Sequence, residues 1–127
     1  NKEELESALK CCFASEKTLM RAIKNLKKKY GIGTVIVTTG KRGAIAYDGR
    51  KFYRAVPLKT KKAFSTVGCG DAFTAGIAYG IEKNGDIETC LRLGTAAAAA
   101  NLKASGACFF KKEDVFGHLS AARVRRI

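Results

Sequence analysis

The chain has no tryptophan, and it holds one proline, one methionine and one histidine, at Pro57, Met20 and His118. Its five cysteines, at 11, 12, 69, 90 and 108, form no Cys-x-x-Cys pair and stand far from that histidine, so no structural zinc set is expected. An odd cysteine count also argues against a disulfide framework, and a reducing cytoplasm is the expected compartment. No apolar run has the length of a membrane span, so no membrane partner is expected. The Gly-Lys-Ser/Thr of a phosphate-binding P-loop is missing. Gly68-Cys69-Gly70 fits no dinucleotide fingerprint either, because Phe73 stands where a third glycine is required. Acidic residues are scarce, 11 against 24 basic ones, for a net charge of +13. The cations are spread over helix faces and turns, as at Lys17, Arg21, Lys24, Lys27 and Lys28. Short clusters occur only at Lys59-Thr60-Lys61-Lys62 and Arg123-Val124-Arg125-Arg126. Such spreading suits solvated faces and phosphorylated small ligands better than nucleic acid.

What is present fits one α/β domain over residues 1–127, with 46% hydrophobic residues and neither repeat nor linker. A short helix is expected from Asn1 to about Cys12. An amphipathic helix follows over Ser15 to Tyr30, with Leu19, Ile23, Leu26 and Tyr30 on one face and Gly31 ending it. Thr34 to Thr38 is a β-branched run that suits a parallel strand covered on both faces. Gly43 to Tyr47 and Lys51 to Ala55 predict two strands joined by Asp48-Gly49, and Val56 to Val67 a loop. Helices are expected at about 70–83, 86–103 with Asp86 as N-cap, and 111–123.

The loop delivers Ser65-Thr66-Val67-Gly68-Cys69-Gly70-Asp71-Ala72-Phe73-Thr74-Ala75-Gly76, a turn of small residues opening into a helix with one carboxylate at its mouth. Small residues at 68 to 70 let backbone N–H groups approach a ligand, and the unpaired N–H groups of the first helical turn add partial positive charge. A phosphate suits that mouth. Asp71 is placed to take a proton from a hydroxyl while the N–H groups steady charge on a transferred phosphoryl group. Asp71 as a first-turn residue favoured by the helix dipole is the alternative reading. Asn1 and Glu4 have capping-box spacing, and Thr38 to Gly43 reads as a tight turn at a strand end. Ala96 to Ala100 suits close helix packing. Cys11, Cys12 and Cys69 read as buried or turn residues without a basic partner.

These stretches together resemble the pfkB, or ribokinase-like, carbohydrate kinase family. The run from Ser65 to Gly76 is similar to the family's second signature, with Cys69 where Ala, Ser or Gly is usual. Asn1-Lys2-Glu3-Glu4 resembles its Asn-x-x-Glu element, Thr38-Thr39-Gly40-Lys41-Arg42-Gly43 its nucleotide turn, and the alanine-rich helix around 95–100 the one beside the adenine. The resemblance implies a three-layer αβα sandwich of which this chain is the C-terminal part. An N-terminal half with the lid, most sugar contacts and a first Gly-Gly signature is then missing, and the chain alone is expected to be inactive, with an open flank beside Val35 to Val37.

The implied activity is ATP-dependent phosphorylation of a sugar or sugar phosphate. In it Asp71 is the base, and Gly68, Cys69 and Gly70 form the anion hole. Asn1, Thr38, Gly40, Gly43, Gly70, Asp71 and Thr95 lie at the nucleotide, with Thr95 where several members have Asn. Glu4 would meet Mg²⁺ through water. Members that respond to monovalent cations imply K⁺ near Ser65, Val67, Asn101, Ala104 and Gly106. A homodimer is left open. Within the family, the signature and Ala-Ser-Gly…Lys-Lys-Glu-Asp-Val look closest to the 1-phosphofructokinase and tagatose-6-phosphate kinase branch. A ribokinase or nucleoside kinase would use the same chemistry on another acceptor, and a basic nucleic-acid-binding module is the alternative of another class.

Overall fold

The computed structural model describes residues 1–59 and 63–127, so three of the four positions of the Lys59-Thr60-Lys61-Lys62 cluster lie outside the described residues. The element order is α1 (Lys2–Ala8), α2 (Glu16–Tyr30), β1 (Val35–Thr38), β2 (Ala44–Tyr47), β3 (Phe52–Val56), α3 (Cys69–Glu82), α4 (Ile87–Lys103), α5 (Lys112–Leu119) and β4 (Arg123–Arg126). The sheet has four strands in the order β1-β2-β3-β4. The chain divides into two compact units, Asn1–Arg54 with Arg126–Ile127, and Ala55–Arg125.

In the first unit, α2 starts at Ser15, whose hydroxyl accepts the Thr18 N–H, and stops at Gly31 in the left-handed conformation. Its inward stripe is Leu19 and Ile23, packed with Val35, Val37, Ile45 and Phe52, and Leu26 joins at the margin. Tyr30 departs from the expected stripe: it is 62% exposed at the helix end, where the chain has already turned away. β1 also departs from expectation. It pairs antiparallel with β2, Val35 opposite Tyr47 and Thr38 opposite Ala44, and buries Val35 and Val37 while Ile36 stays half-exposed. A β-branched run therefore does not by itself reveal parallel pairing; here a short connection returns the chain as β2.

The β2–β3 connection is longer than the Asp48-Gly49 pair. It closes through Asp48, whose Oδ1 accepts the N–H groups of Arg50 and Lys51 at 2.7 Å and whose Oδ2 accepts the Tyr53 hydroxyl at 3.0 Å. Those donors hold the Asp48 carboxyl below its ordinary range, the Lys51 N–H first among them. Cys11 and Cys12 are exposed, not buried, because α1 has already ended at Ala8.

The second unit is built on α3 against α4. Side chains are removed where the helices meet: a Cβ on Gly76 would lie 2.6 Å from the Leu93 carbonyl oxygen, and one on Gly94 2.9 Å from that of Phe73. Ala96, Ala97, Ala99 and Ala100 are buried on α4, as close packing requires. α5 covers part of this pair, with Phe116 edge-on to Tyr79 at 6.3 Å. It ends at Leu119, four residues before the expected end, and residues 123–126 form β4. Alternation there is hidden because three arginines flank Val124 on an exposed strand.

Gly76→Ala is expected to cost about 1–3 kcal/mol by overpacking two backbones. Gly117→Ala on α5, where a Cβ meets nothing within 4 Å, should gain up to about 1 kcal/mol. Urea unfolding of both variants checks this, and equal stabilities would contradict the close contact. Burial, then the charge of Lys103, holds His118 below its ordinary pKa, with Asp114 opposing. The unfolded chain thus takes up the proton first on acidification. The contribution is full above about pH 6.5 and is lost as the pH falls toward the folded value. Melting temperatures between about pH 7 and pH 5 should fall less for His118→Gln than for the unaltered chain.

Candidate active site

Gly68 caps α3 with φ +80°, a conformation that side chains resist. A Cβ there would also come within 2.9 Å of the Ala107 Cβ and 3.3 Å of the Asn101 Oδ1. Of the first N–H groups of α3, that of Cys69 is taken by the Thr66 carbonyl at 3.2 Å and that of Ala72 by Gly68 at 2.8 Å. Those of Gly70 and Asp71 have no acceptor among the described residues, and they sit where a 14-residue helix presents its positive end. The Asp71 side chain is exposed in that same turn, and no ion pair engages it among the described residues. Gly70 is open: a Cβ there meets nothing within 4 Å. The small residues expected at 68 to 70 thus divide, Gly68 being required by the fold and Gly70 leaving space outside it.

What holds the turn is Asn101, 1% exposed near the end of α4. Its Nδ2 donates to the Val67 carbonyl at 2.8 Å and faces the Cys69 Sγ at 3.2 Å. Its Oδ1 accepts the Cys108 N–H at 2.6 Å. One carboxamide therefore ties the turn before α3 to the segment after α4. Sequence reasoning placed Asn101 near a monovalent cation and did not see this bridging. The signal was a lone polar residue closing a run of buried alanines, which burial obliges to find partners. Of the other residues expected near that cation, the Ser65 hydroxyl accepts the Val67 N–H at 3.1 Å and Ala104 donates its N–H to the Asn101 carbonyl at 3.0 Å. Gly106 lies between Ala104 and Cys108. Thr95 is buried in α4 with its hydroxyl donating to the Leu91 carbonyl at 2.8 Å.

The other predicted residues belong to the first unit. Asn1 and Glu4 form the capping box: Asn1 Oδ1 accepts the Glu4 N–H at 2.9 Å, and the Glu4 carboxylate meets the Asn1 backbone nitrogen. Glu4 remains mostly exposed, a single carboxylate of the kind a hard cation takes together with water. No cluster of three or more His, Cys, Asp or Glu able to hold a metal exists among the described residues. Thr38 ends β1, and residues Gly40–Arg42 form one 3₁₀ turn with Gly40 and Gly43 at positive φ. Thr39 closes that turn, its N–H and hydroxyl both donating to the Gly43 carbonyl, at 2.7 and 3.0 Å. A broad open groove of about 740 Å³, lined by Lys17, Arg21, Lys24, Arg50, Lys51 and Phe52 among others, contains none of the predicted site residues.

A family model described as pfkB family carbohydrate kinase matches residues 1–114. The chain is 40% identical over 77 residues to fructoselysine 6-kinase of Escherichia coli, covering 61% of this chain and 29% of that protein. It is 33% identical over 125 residues to 1-phosphofructokinase of Borreliella burgdorferi, covering 98% of this chain and 39% of that protein. The solved structure of Arabidopsis thaliana ribokinase complexed with ribose and ATP superposes with a TM-score of 0.85 at 25% identity, over 94% of this chain and 39% of that one. The chain thus spans less than two fifths of the length of these relatives.

Asn101→Ala should destabilise the second unit by about 1–3 kcal/mol, since it strands the Val67 carbonyl and the Cys108 N–H. Gly70→Ala should stay within about 0.5 kcal/mol of the unaltered chain. Denaturant unfolding compares the two, and similar losses would contradict the division between clamp and open position.

Proposed function

Since this chain belongs to the pfkB family of carbohydrate kinases, we propose that it supplies the catalytic part of an ATP-dependent phosphotransferase acting on a hydroxyl of a sugar or sugar phosphate. One observation carries the reading: the N–H groups of Gly70 and Asp71, at the positive end of α3, have no acceptor among the described residues, and an exposed carboxylate stands in the same turn. The free N–H groups receive charge developing on the transferred phosphoryl group. Asp71 accepts the proton of the attacking hydroxyl, whose oxygen then bonds the γ-phosphorus of ATP as the bond to the β-phosphate oxygen breaks. Gly68 sets the turn, and Cys69 contributes backbone and the thiol that Asn101 grips.

The family resemblance assigns Asn1, Thr38, Gly40, Gly43 and Thr95 to the nucleotide. Glu4 fits Mg²⁺ through water, which when bound neutralises phosphate charge. K⁺ near Ser65, Val67, Asn101, Ala104 and Gly106 rests on the same resemblance. For the acceptor, the likeness to 1-phosphofructokinase over almost the whole chain favours fructose 1-phosphate, with tagatose 6-phosphate next and the same base serving either.

The test uses the whole protein, with ADP release measured on fructose 1-phosphate, tagatose 6-phosphate, fructoselysine and ribose. Acceptor-dependent release with one of them is expected, and none with any would sink the reading. Asp71→Asn should lower turnover by about 10²- to 10⁴-fold while leaving ATP affinity within a few-fold. Near-normal turnover would remove Asp71 from the role.

A further inference from the structure

Two thiols flank the turn before α3. The Cys69 Sγ lies 3.2 Å from the Asn101 Nδ2 and 3.8 Å from the Ala98 carbonyl oxygen. The Cys108 Sγ lies 3.6 Å from the Gly68 carbonyl oxygen, and its own N–H is held by the same Asn101 side chain. The residues just before them, Gly68 and Ala107, are in contact: a Cβ on Gly68 would fall 3.2 Å from the Ala107 Cα. Cys108 has φ +57°, rare for a residue with a side chain, and it is exposed while Cys69 is half-buried. Of the other three cysteines, Cys90 is buried, and Cys11 and Cys12 are exposed and belong to the first unit.

We propose that Cys69 and Cys108 form a thiol pair that closes to a disulfide under a disulfide oxidant such as oxidised glutathione. The exposed Cys108 thiolate attacks one sulfur of the oxidant, forming a mixed disulfide and releasing one glutathione thiolate. The Cys69 thiolate then attacks the Cys108 sulfur and releases the second. Two protein thiols lose two electrons and two protons, and one oxidised glutathione becomes two reduced ones. Closure takes the Cys69 sulfur from the Asn101 Nδ2 and fastens the anion turn to the 104–108 segment covalently. Residue 69 flanks the two free N–H groups, so the bond alters the turn that the phosphoryl group would use. This last consequence rests on the kinase reading; the chemistry of the pair does not.

The test treats the whole protein with oxidised glutathione, blocks free thiols by alkylation and maps the peptides by mass spectrometry. The expected product is an intramolecular Cys69–Cys108 link, reversed by dithiothreitol and abolished in Cys108→Ser. In Cys69→Ser, Cys108 should instead be trapped as its glutathione adduct. Cys69 alkylated in full while Cys108 carries glutathione, in the unaltered chain, would overturn the proposal, as would links confined to Cys11 or Cys12. In the whole protein, oxidation should lower turnover at least about tenfold, with recovery on reduction, and Cys108→Ser should keep its turnover and lose this sensitivity. A protein inactive before oxidation would count against the kinase reading and leave the mapping result intact. A mapped link with unchanged turnover would overturn the effect on the turn.

Discussion

The Asn101 carboxamide is the interaction on which the second unit's working end depends. Backbone pairing satisfies part of the turn, the Cys69 N–H donating to Thr66 and the Ala72 N–H to Gly68, and the polar groups it leaves over need a side chain or water. Asn101 supplies a donor to Val67 and an acceptor to Cys108 from a position almost without exposure. It reaches both because α4 lies close on α3, and α4 lies close because Gly76, Gly80 and Gly94 carry no side chains at the contact. Small residues in two helices thereby fix a turn beyond the ends of both. The turn, so held, leaves the Gly70 and Asp71 N–H groups without an acceptor among the described residues.

This arrangement explains which small residues are exchangeable. Gly68 combines a left-handed backbone with a neighbour under 3 Å from any added Cβ, so the fold itself demands glycine. Gly70 has neither constraint, and its smallness is useful only to something outside the chain. Cys69 joins the two roles, because its thiol touches Asn101 while its backbone lies in the turn. The Asp48 hairpin in the first unit uses the same principle, one polar side chain satisfying several loop N–H groups at once.

Much of this was legible in the sequence because local chemistry decides it. Ser15 and Gly31 bracket α2, Asp86 starts α4, and the Gly68-to-Asp71 run announces a helix mouth with a carboxylate. The pairing of β1 was not legible, since a β-branched run looks the same whether its neighbour is parallel or antiparallel. β4 was hidden by arginines that an exposed strand tolerates, and Tyr30 continues by spacing an apolar stripe that in the fold ends one turn earlier, at Leu26. The bridging by Asn101 could not be read because Val67 lies in a loop 34 positions away and Cys108, seven positions on, is reached only once the segment after α4 folds back. The exposed cysteines at 11 and 12 show the same limit: burial of a thiol depends on where the preceding helix stops.

The net charge of +13 gathers in part along the groove of Lys17, Arg21, Lys24, Arg50 and Lys51, and a phosphorylated ligand has two places to go. Amide-resolved NMR of the isotopically labelled chain, titrated with ATP, separates them directly. If the free N–H groups at the start of α3 are the phosphate site, the resonances of Gly70 and Asp71 move first and saturate. Saturable shifts confined to Lys17–Lys24 and Arg50–Lys51, with Gly70 and Asp71 unmoved, would contradict it.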